Sequence, residues 1–457
     1  MGGRVVDDPT DSDYADPVIA CCIPYLSRKL PVMRKYFLLG LLLLGIGYYF
    51  YTATPDRYDP ERQYVDQDAA LRTQFILAKD SSTLELPAGH FLFNKSLILD
   101  GRTAVTIRGA GIDQTVLSFK EQREGAEGLR ITNSKNITLE NLTVEDAAGD
   151  NIKVMDTDSI TFRRVKVAWT GPIDEDNGAY GFYPVLCSNV LIEDCVSMGS
   201  SDAGIYVGQS QDVVVRNNEV YQNVAGIESE NSERVEIYNN HCYDNTGGIL
   251  VFNLPGLTRY GNGVNVYNNR VLANNRPNFG VKGSIVSMIP GGTGVLVLAT
   301  KRVRVYDNEI RDHKTLGVGV VSYDLVDGMS GGEEMTTAPV SSGVRSVEAD
   351  YRSIAAYDPY PGAVRIENNS FSNQHWLPNL RSDFGKLFLS KLGFHIPDIV
   401  IDGIEPPTDL ADRYDPDRSV CLTQSDVLFV DMDADHDFAD WTEDAAAFVC
   451  PPALTVQ

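Results

Sequence analysis

DVVVRNN at residues 212–218, RVEIYNN at 234–240, GVNVYNN at 263–269 and RVRVYDN at 302–308 are one phrase written four times. Weaker copies read NITLENL (136–142), SITFRRV (159–165), NVLIEDC (189–195) and AVRIENN (363–369). Within each phrase β-branched and other apolar residues alternate at period two, the signature of a strand with one buried face. The closest spacings, 136 to 159, 189 to 212 and 212 to 234, set one unit at 22 or 23 residues, and the wider ones are units that carry loops. Eight positions before the first apolar residue of most phrases stands another: Leu129/Ile137, Ile152/Ile160, Phe182/Val190, Ile205/Val213, Ile227/Val235 and Val295/Val303. Units of this size cannot bury an apolar face alone and must stack. The pattern predicts an all-β fold, a right-handed parallel β-helix.

Columns along the solenoid follow from this register. Five residues beyond the first apolar position lie Leu142, Val165, Cys195, Asn218, Asn240, Asn269, Asn308 and Asn369. Stacked asparagines can pass amide hydrogen bonds from coil to coil, so these residues read as structural. Two positions further, Val144, Val167, Ser197, Val220, Cys242, Val271, Ile310 and Phe371 are mostly apolar, as an inward position requires.

The 457 residues carry a formal charge of −24 with 43% apolar content. Nucleic acid is excluded as a partner, because phosphate binding needs clustered Lys and Arg. The same charge repels a polyanionic glycan unless a metal ion or a local basic patch intervenes. Met33-Arg34-Lys35, the apolar run from Phe37 to Tyr51 and the small residues Thr52-Ala53 read as a signal peptide or, uncleaved, as a membrane anchor through 37–53. Residues 1–32 are acidic and Pro-rich and read as a mis-assigned start or a disordered leader, with translation beginning at Met33. A periplasmic or extracellular location follows, with or without attachment to the membrane.

Export permits disulfides. Cys421 and Cys450 bracket the last segment with no other cysteine near them, and their bond would close a loop of about 30 residues, contributing on the order of 3 to 4 kcal/mol. Cys195 and Cys242 fall on inward positions. Residues 54–80 read as a helical lead-in that caps the first coil, 81–375 as the β-helix with an aperiodic insertion at 325–357, and 376–457 as an acidic extension. There Asp431, Asp433, Asp435 and Asp437 alternate without the glycine and terminal glutamate of an EF-hand loop, which makes a solvated loop.

The phrases LPAGHFLF (86–93) and IRGAGIDQTVLSF (107–119), followed by the coils, resemble the pectate-lyase-like superfamily and, more narrowly, the exported bacterial parallel β-helix repeat proteins. The resemblance covers roughly residues 80–375. It implies the β-helix and action on polysaccharide, and it extends to alginate epimerases and to a periplasmic accessory protein of copper-site maturation. The D-P-H-E or D-P-H-D phrase of many alginate epimerases and the paired aspartates of polygalacturonases are absent, so no catalytic residue is carried over by motif.

Candidate residues come instead from the alternation. The residue after each inward apolar one points outward on the strand that precedes the eight-residue step, which gives Arg130, Lys153, Tyr183, Tyr206, Glu228, Leu250 and Leu296 in successive coils. A second outward row reads Thr132, Met155, Val185, Gly208, Glu230, Phe252 and Leu298, and adjoining turns add Asp150, Asp202, Gln209, Asn231, Asn245 and Asn253. The catalytic candidates are Lys153, Tyr206, Glu228 and Glu230. Lys153 or Tyr206 could take the proton α to a uronate carboxyl group, the opening step of a lyase or a C5-epimerase, and the two glutamates could act as general acid or base. Arg130, Tyr183, Asp202, Gln209, Asn231 and Asn253 are candidates for binding sugar. No metal-ligand spacing occurs, and calcium is the one cofactor considered. The expected function is binding and modification of a polysaccharide. The alternatives are a non-catalytic accessory or glycan-binding protein and, third, a glycoside hydrolase.

Overall fold

The computed structural model describes residues 63–65, 67–330, 357–408 and 413–451. The leader, the apolar run at 37–51, and most of the insertion at 325–357 lie outside them. The described chain winds as a right-handed parallel β-helix with an eleven-stranded sheet on one side and a nineteen-stranded sheet wrapping the other two. A representative coil runs through Ala203–Gly208, Gln211–Arg216 and Glu219–Tyr221, and each strand pairs in parallel with its counterpart in the next coil.

Each corner is turned by single residues in the left-handed region. Asp212 and Asn217 have φ of 56° and 57°, and the same two positions of the next coil, Arg234 and Asn239, have 55° and 56°. Asparagine and aspartate tolerate this conformation best among residues with a side chain. The doubled asparagine of the phrase is thereby explained, since its first member bends the chain and its second points inward.

The second asparagines form a ladder. Asn218, Asn240, Asn269 and Asn308 each donate through Nδ2 to the Oδ1 of the next, and Asn308 donates to Asn369, over 2.9–3.0 Å. Each Oδ1 also accepts the backbone N–H of the preceding coil's asparagine, and each Nδ2 a second time reaches a carbonyl, as from Asn240 to Val215. Cys195 N–H closes one end and Gln424 the other. A second ladder of Asn223, Asn245 and Asn274 runs beside it at the entry to the eleven-stranded sheet. Asn245, which the sequence assigns to a turn beside the binding face, therefore points into the solenoid.

A glycine column accompanies the second ladder. A Cβ on Gly181, Gly226, Gly248, Gly294 or Gly317 would lie 2.3–2.6 Å from a carbonyl oxygen of the next coil. Inside, Leu129, Ile152, Phe182, Ile205, Ile227, Ile249 and Val295 stack with no exposed surface. The helix Asp68–Ile76 closes the N-terminal end by burying Leu71 and Phe75 in the same core.

The C-terminal segment departs from the expected boundary. Ile399–Ile401 and Phe429–Asp431 extend the eleven-stranded sheet, Val420–Leu422 extends the other, and the helix Asp383–Leu392 lies between the first of these and the preceding coil in sequence. The solenoid thus continues past residue 375. Spacing broken by the insertion and by this helix hides these three-residue strands. Cys421 and Cys450 are joined in a disulfide.

Replacing Asn240 by alanine should cost roughly 3 kcal/mol, because buried groups on both neighbouring coils lose their partner. Asn265→Ala, which removes a bond to Glu236 on the outer surface, should cost under about 1 kcal/mol. Denaturant unfolding of the two variants against the parent checks the difference.

Candidate active site

Parallel pairing stacks identical coil positions at roughly 4.8 Å, and it places the outward row of the eleven-stranded sheet in register. Arg130 pairs with Lys153, Lys153 with Tyr183, Tyr206 with Glu228, Glu228 with Leu250, and Leu250 with Leu296. Lys153, Tyr183, Tyr206, Glu228, Glu230 and Asp202 come together with Glu127, Asp150 and Tyr180 in one acid–tyrosine cluster. Arg130 stands one coil N-terminal to Lys153.

Lys153 Nζ lies 3.8 Å from both Glu127 Oε1 and Asp150 Oδ2 and 4.8 Å from the ring centre of Tyr183. The rings of Tyr180, Tyr183 and Tyr206 contact one another with centroids 4.4–5.0 Å apart. Tyr180 donates to Asp202 Oδ2 over 3.4 Å, and Tyr206 donates to Glu230 Oε1 over 2.7 Å. The second bond depends on Gly208, because the Tyr206 ring occupies the space where a Cβ at that position would be, 2.2 Å from the nearest ring carbon. Asp202 Oδ1 and Glu228 Oε2 are buried without a hydrogen-bond partner.

Two loops enclose the cluster. The segment 273–292, with its 3₁₀ turn Ile285–Met288, packs Ile285, Val286 and Ile289 into one apolar group with Tyr180, Ala203, Tyr206 and Ala225. Asn278 braces that loop by donating to Val286 and Ile289 carbonyls, both over 2.8 Å. The other loop, 254–261, is held by three of the residues expected to bind sugar. Gln209 Oε1 accepts from Thr258, Asn231 bonds Leu254 and Arg259 backbone, and Asn253 bonds Gly261 and Ala299 backbone. Both amide atoms of Asn231 and of Asn253 are thus engaged by backbone groups, and Gln209 anchors the loop through Oε1.

Burial sets the protonation chemistry. Glu228, Glu230, Asp202 and Asp150 keep only 2–8% of their surface exposed. Desolvation, then attraction to Lys153 partly opposing it, leaves Asp150 pushed up to about 7. Desolvation also raises Glu230 to about 7, against the bond from Tyr206. Asp202 and Glu228 are raised well above the carboxylate range by desolvation, with repulsion from Glu230 adding to it in both. The same burial raises the hydroxyls of Tyr180, Tyr183 and Tyr206. At neutral pH the site therefore holds neutral carboxylic acids that can donate, beside carboxyls poised to exchange a proton. Among the described residues, no three His, Cys, Asp or Glu side chains converge as a metal site.

Tyr180 and Glu127 escape the sequence reading. Counting by twos from the inward Phe182 turns Tyr180 inward, but Gly181 also faces inward against Gly204 O, so the phase slips and Tyr180 emerges on the outer face. The glycine preceding the inward apolar residue in coil after coil is the signal that marks this slip.

The model of the right-handed β-helix region matches residues 127–375. The chain belongs to that family. Among solved structures it is similar to the A-module of the mannuronan C-5 epimerase AlgE4 of Azotobacter vinelandii, at 17% identity over 74% of this chain and 88% of that one, with a TM-score of 0.43. It is also similar to the periplasmic alginate epimerase AlgG, at 13% identity over 68% of this chain and 80% of that one, with a TM-score of 0.34. DFA-IIIase from Arthrobacter chlorophenolicus A6 matches at 8% identity over 73% and 87% of the two chains, with a TM-score of 0.40. These identities speak for the fold alone. No curated protein matches the sequence.

Carboxyls that hold protons more tightly when folded give a stability that is full below about pH 4 and is lost as pH rises through about 7. Asp150 and Glu230 should each cost on the order of 3 kcal/mol at pH 8. His313, pushed down to about 4 by burial, acts in the opposite sense, so the comparison is with variants. Between pH 5 and 8 the melting temperature of Asp150→Asn and of Glu230→Gln should fall less than that of the parent, and parallel profiles would show that these groups ionise freely.

Proposed function

We propose that the protein modifies a uronate polysaccharide by lyase or C5-epimerase chemistry at the acid–tyrosine cluster. The observation that carries this reading is the 2.7 Å bond from Tyr206 to a Glu230 carboxyl poised near pH 7. Tyr206 Oη takes the proton from the ring carbon α to the substrate carboxyl while its own proton passes to Glu230. The electron pair left behind delocalises into the substrate carboxyl group, to which the neutral acids Asp202 and Glu228 offer protons through oxygens that have no partner of their own. In a lyase that pair then expels the glycosidic oxygen at the β position. In an epimerase a proton returns to the opposite face of the ring, from Lys153.

Asp150, Asp202, Glu228 and Glu230 are all shifted toward the neutral form, which removes much of the repulsion that a uronate would meet. Hydrolysis by two carboxyl groups needs one protonated and one ionised member, and Asp202 or Glu228 beside Glu230 offers that pairing near pH 7, so glycoside hydrolysis stands as the third reading. The enclosure of the cluster by segment 273–292 is the observation that favours the rival, a glycan-binding or accessory protein without turnover. Export to the periplasm or the outside, by a cleaved signal peptide or with attachment through an uncleaved anchor at residues 37–53, completes the reading and rests on the sequence.

Proton NMR in deuterated buffer against a panel of polyuronates and neutral glycans tests it, with calcium added or chelated. New alkene signals mean a lyase, and deuterium at C5 without chain cleavage means an epimerase. Tyr206→Phe should lower the rate by roughly 10²- to 10⁴-fold. The rate should rise with pH through about 7 as Glu230 ionises and fall where Asp202 and Glu228 lose their protons, and Glu230→Gln should abolish the rising limb. Unchanged spectra across the panel would reject catalysis in favour of the binding role.

A further inference from the structure

The outward face of the eleven-stranded sheet is closed on one side of the cluster and open on the other. Toward the C-terminal coils, Leu250 and Phe252 follow Glu228 and Glu230 directly and have no exposed surface, packed in one apolar group with Ile285, Val286 and Ile289 of the covering segment. Toward the N-terminal coils, Tyr183, Met155, Thr132 and Arg130 are half-buried, and the row ends at Ile98, which pairs with Arg130 and is 36% exposed. A ligand that reaches the cluster along the sheet therefore lies over the N-terminal coils.

A cleft of about 320 Å³ opens on those coils, between the helix Asp68–Ile76 and the strands Lys95–Asp100 and Glu124–Thr132. Ile98 and Ile76 give it apolar surface, and Arg72, Lys95 and Arg130 line it against one acid, Glu124. In a chain of net charge −24 this is a local excess of positive charge. Two of the cations have partners, Arg72 in Asp68 at 2.8 Å and Lys95 in Glu124 at 2.7 Å. Arg130 has none: among the described residues no acid lies within 4 Å of its guanidinium, and its Nε is buried without a hydrogen-bond partner. Asp100 attracts it from further away, but that carboxylate already accepts from Thr132 and Asn133 over 2.6 and 2.9 Å. An arginine left in this state is a fork without its planar oxyanion.

We propose that Arg130 binds the carboxylate of a uronate further along the chain from the one at the cluster, and that the glycan approaches from this side alone, so that the cluster receives a chain end. Arg130 stands three strand steps from Tyr206 through Lys153 and Tyr183, roughly 14 Å. One sugar ring cannot touch both, so the ligand is an oligomer or a polymer terminus. The cleft suits an acidic pyranose, since the guanidinium can pair with a carboxylate through two parallel hydrogen bonds while Ile98 meets the C–H face of the ring. Beyond Glu228 the covering segment leaves a chain no path along the sheet. The proposal rests on the uronate reading of the cluster for the terminal unit, and the Arg130 subsite is tested by binding alone.

Calorimetric titration of the full protein, with calcium chelated, uses trimers of mannuronate, guluronate and galacturonate and the same trimers with their carboxyl groups reduced to alcohols. At least one acidic trimer should bind the parent, its reduced form about tenfold more weakly, and Arg130→Gln should weaken the acidic trimer about tenfold. Ile98→Trp, which fills the cleft and leaves the charge in place, should weaken it as well and guards against a folding defect in the arginine variant. No binding of any trimer, equal binding in the parent and both variants, or equal binding of acidic and reduced trimers would overturn the subsite. Direction is read by competition between a polyuronate and its partial hydrolysate at equal mass. Displacement of the trimer should scale with the number of chain ends, and scaling with mass would overturn the end-on approach. Trimer binding that Arg130→Gln weakens, in a protein that turns over no polyuronate, would support the subsite and refute the catalytic reading.

Discussion

Coil-to-coil registry is the constraint on which everything else in this molecule depends. Once backbone hydrogen bonds lock successive turns at strand spacing, each residue position becomes a column, and every column must tolerate its own repetition. Asparagine does so because its amide is both donor and acceptor, so a buried polar stack satisfies itself from Cys195 to Gln424. Glycine does so where a Cβ would strike the next coil's carbonyl. Tyrosine does so on the outer surface, where Tyr238, Tyr267 and Tyr306 stack with centroids 4.8–4.9 Å apart.

Carboxylates tolerate it badly, and that makes the cluster distinctive. The register brings Asp150, Asp202, Glu228 and Glu230 onto neighbouring coils of one face, and the 273–292 loop then removes them from water. On the outer wall of the solenoid, by contrast, Glu193 is answered by Arg163 and Arg216 at 2.6 Å each. Here a single lysine stands 3.8 Å from its two nearest acids, and the remaining charge is discharged by holding protons. A fold selected only for stability gains nothing from such an arrangement, since apolar residues in these positions would remove the desolvation cost. Leu250 and Phe252 are apolar at the equivalent places one coil on.

Much of this was legible in the sequence, because strand alternation and coil spacing are local properties. The solenoid, the inward columns, the Asn218–Asn369 ladder and the outward row from Arg130 to Leu296 all follow from counting. What escaped depends on geometry between coils. Tyr180 changes face only because Gly181 takes an inward place without filling it. Gln209, Asn231 and Asn253 have the chemistry of sugar binders, but the loop at 254–261 folds back onto Gln209 Oε1, the Asn231 amide and Asn253 Oδ1. The last coils lie behind an insertion and a helix, and strands of three residues such as Ile399–Ile401 carry too little alternation to be seen.

The overall charge of −24 and the uronate reading pull against each other at first sight. A charge on the surface acts through water and salt, and beyond about 10 Å it is largely screened. A charge at the cluster would act through the low dielectric of a dry site, where it cannot be ignored. The protein therefore need not be basic to accept an anionic sugar, provided that the few groups touching it are neutral. Burying carboxyl groups is a direct way to achieve that neutrality, and it keeps a proton on Asp202 and Glu228.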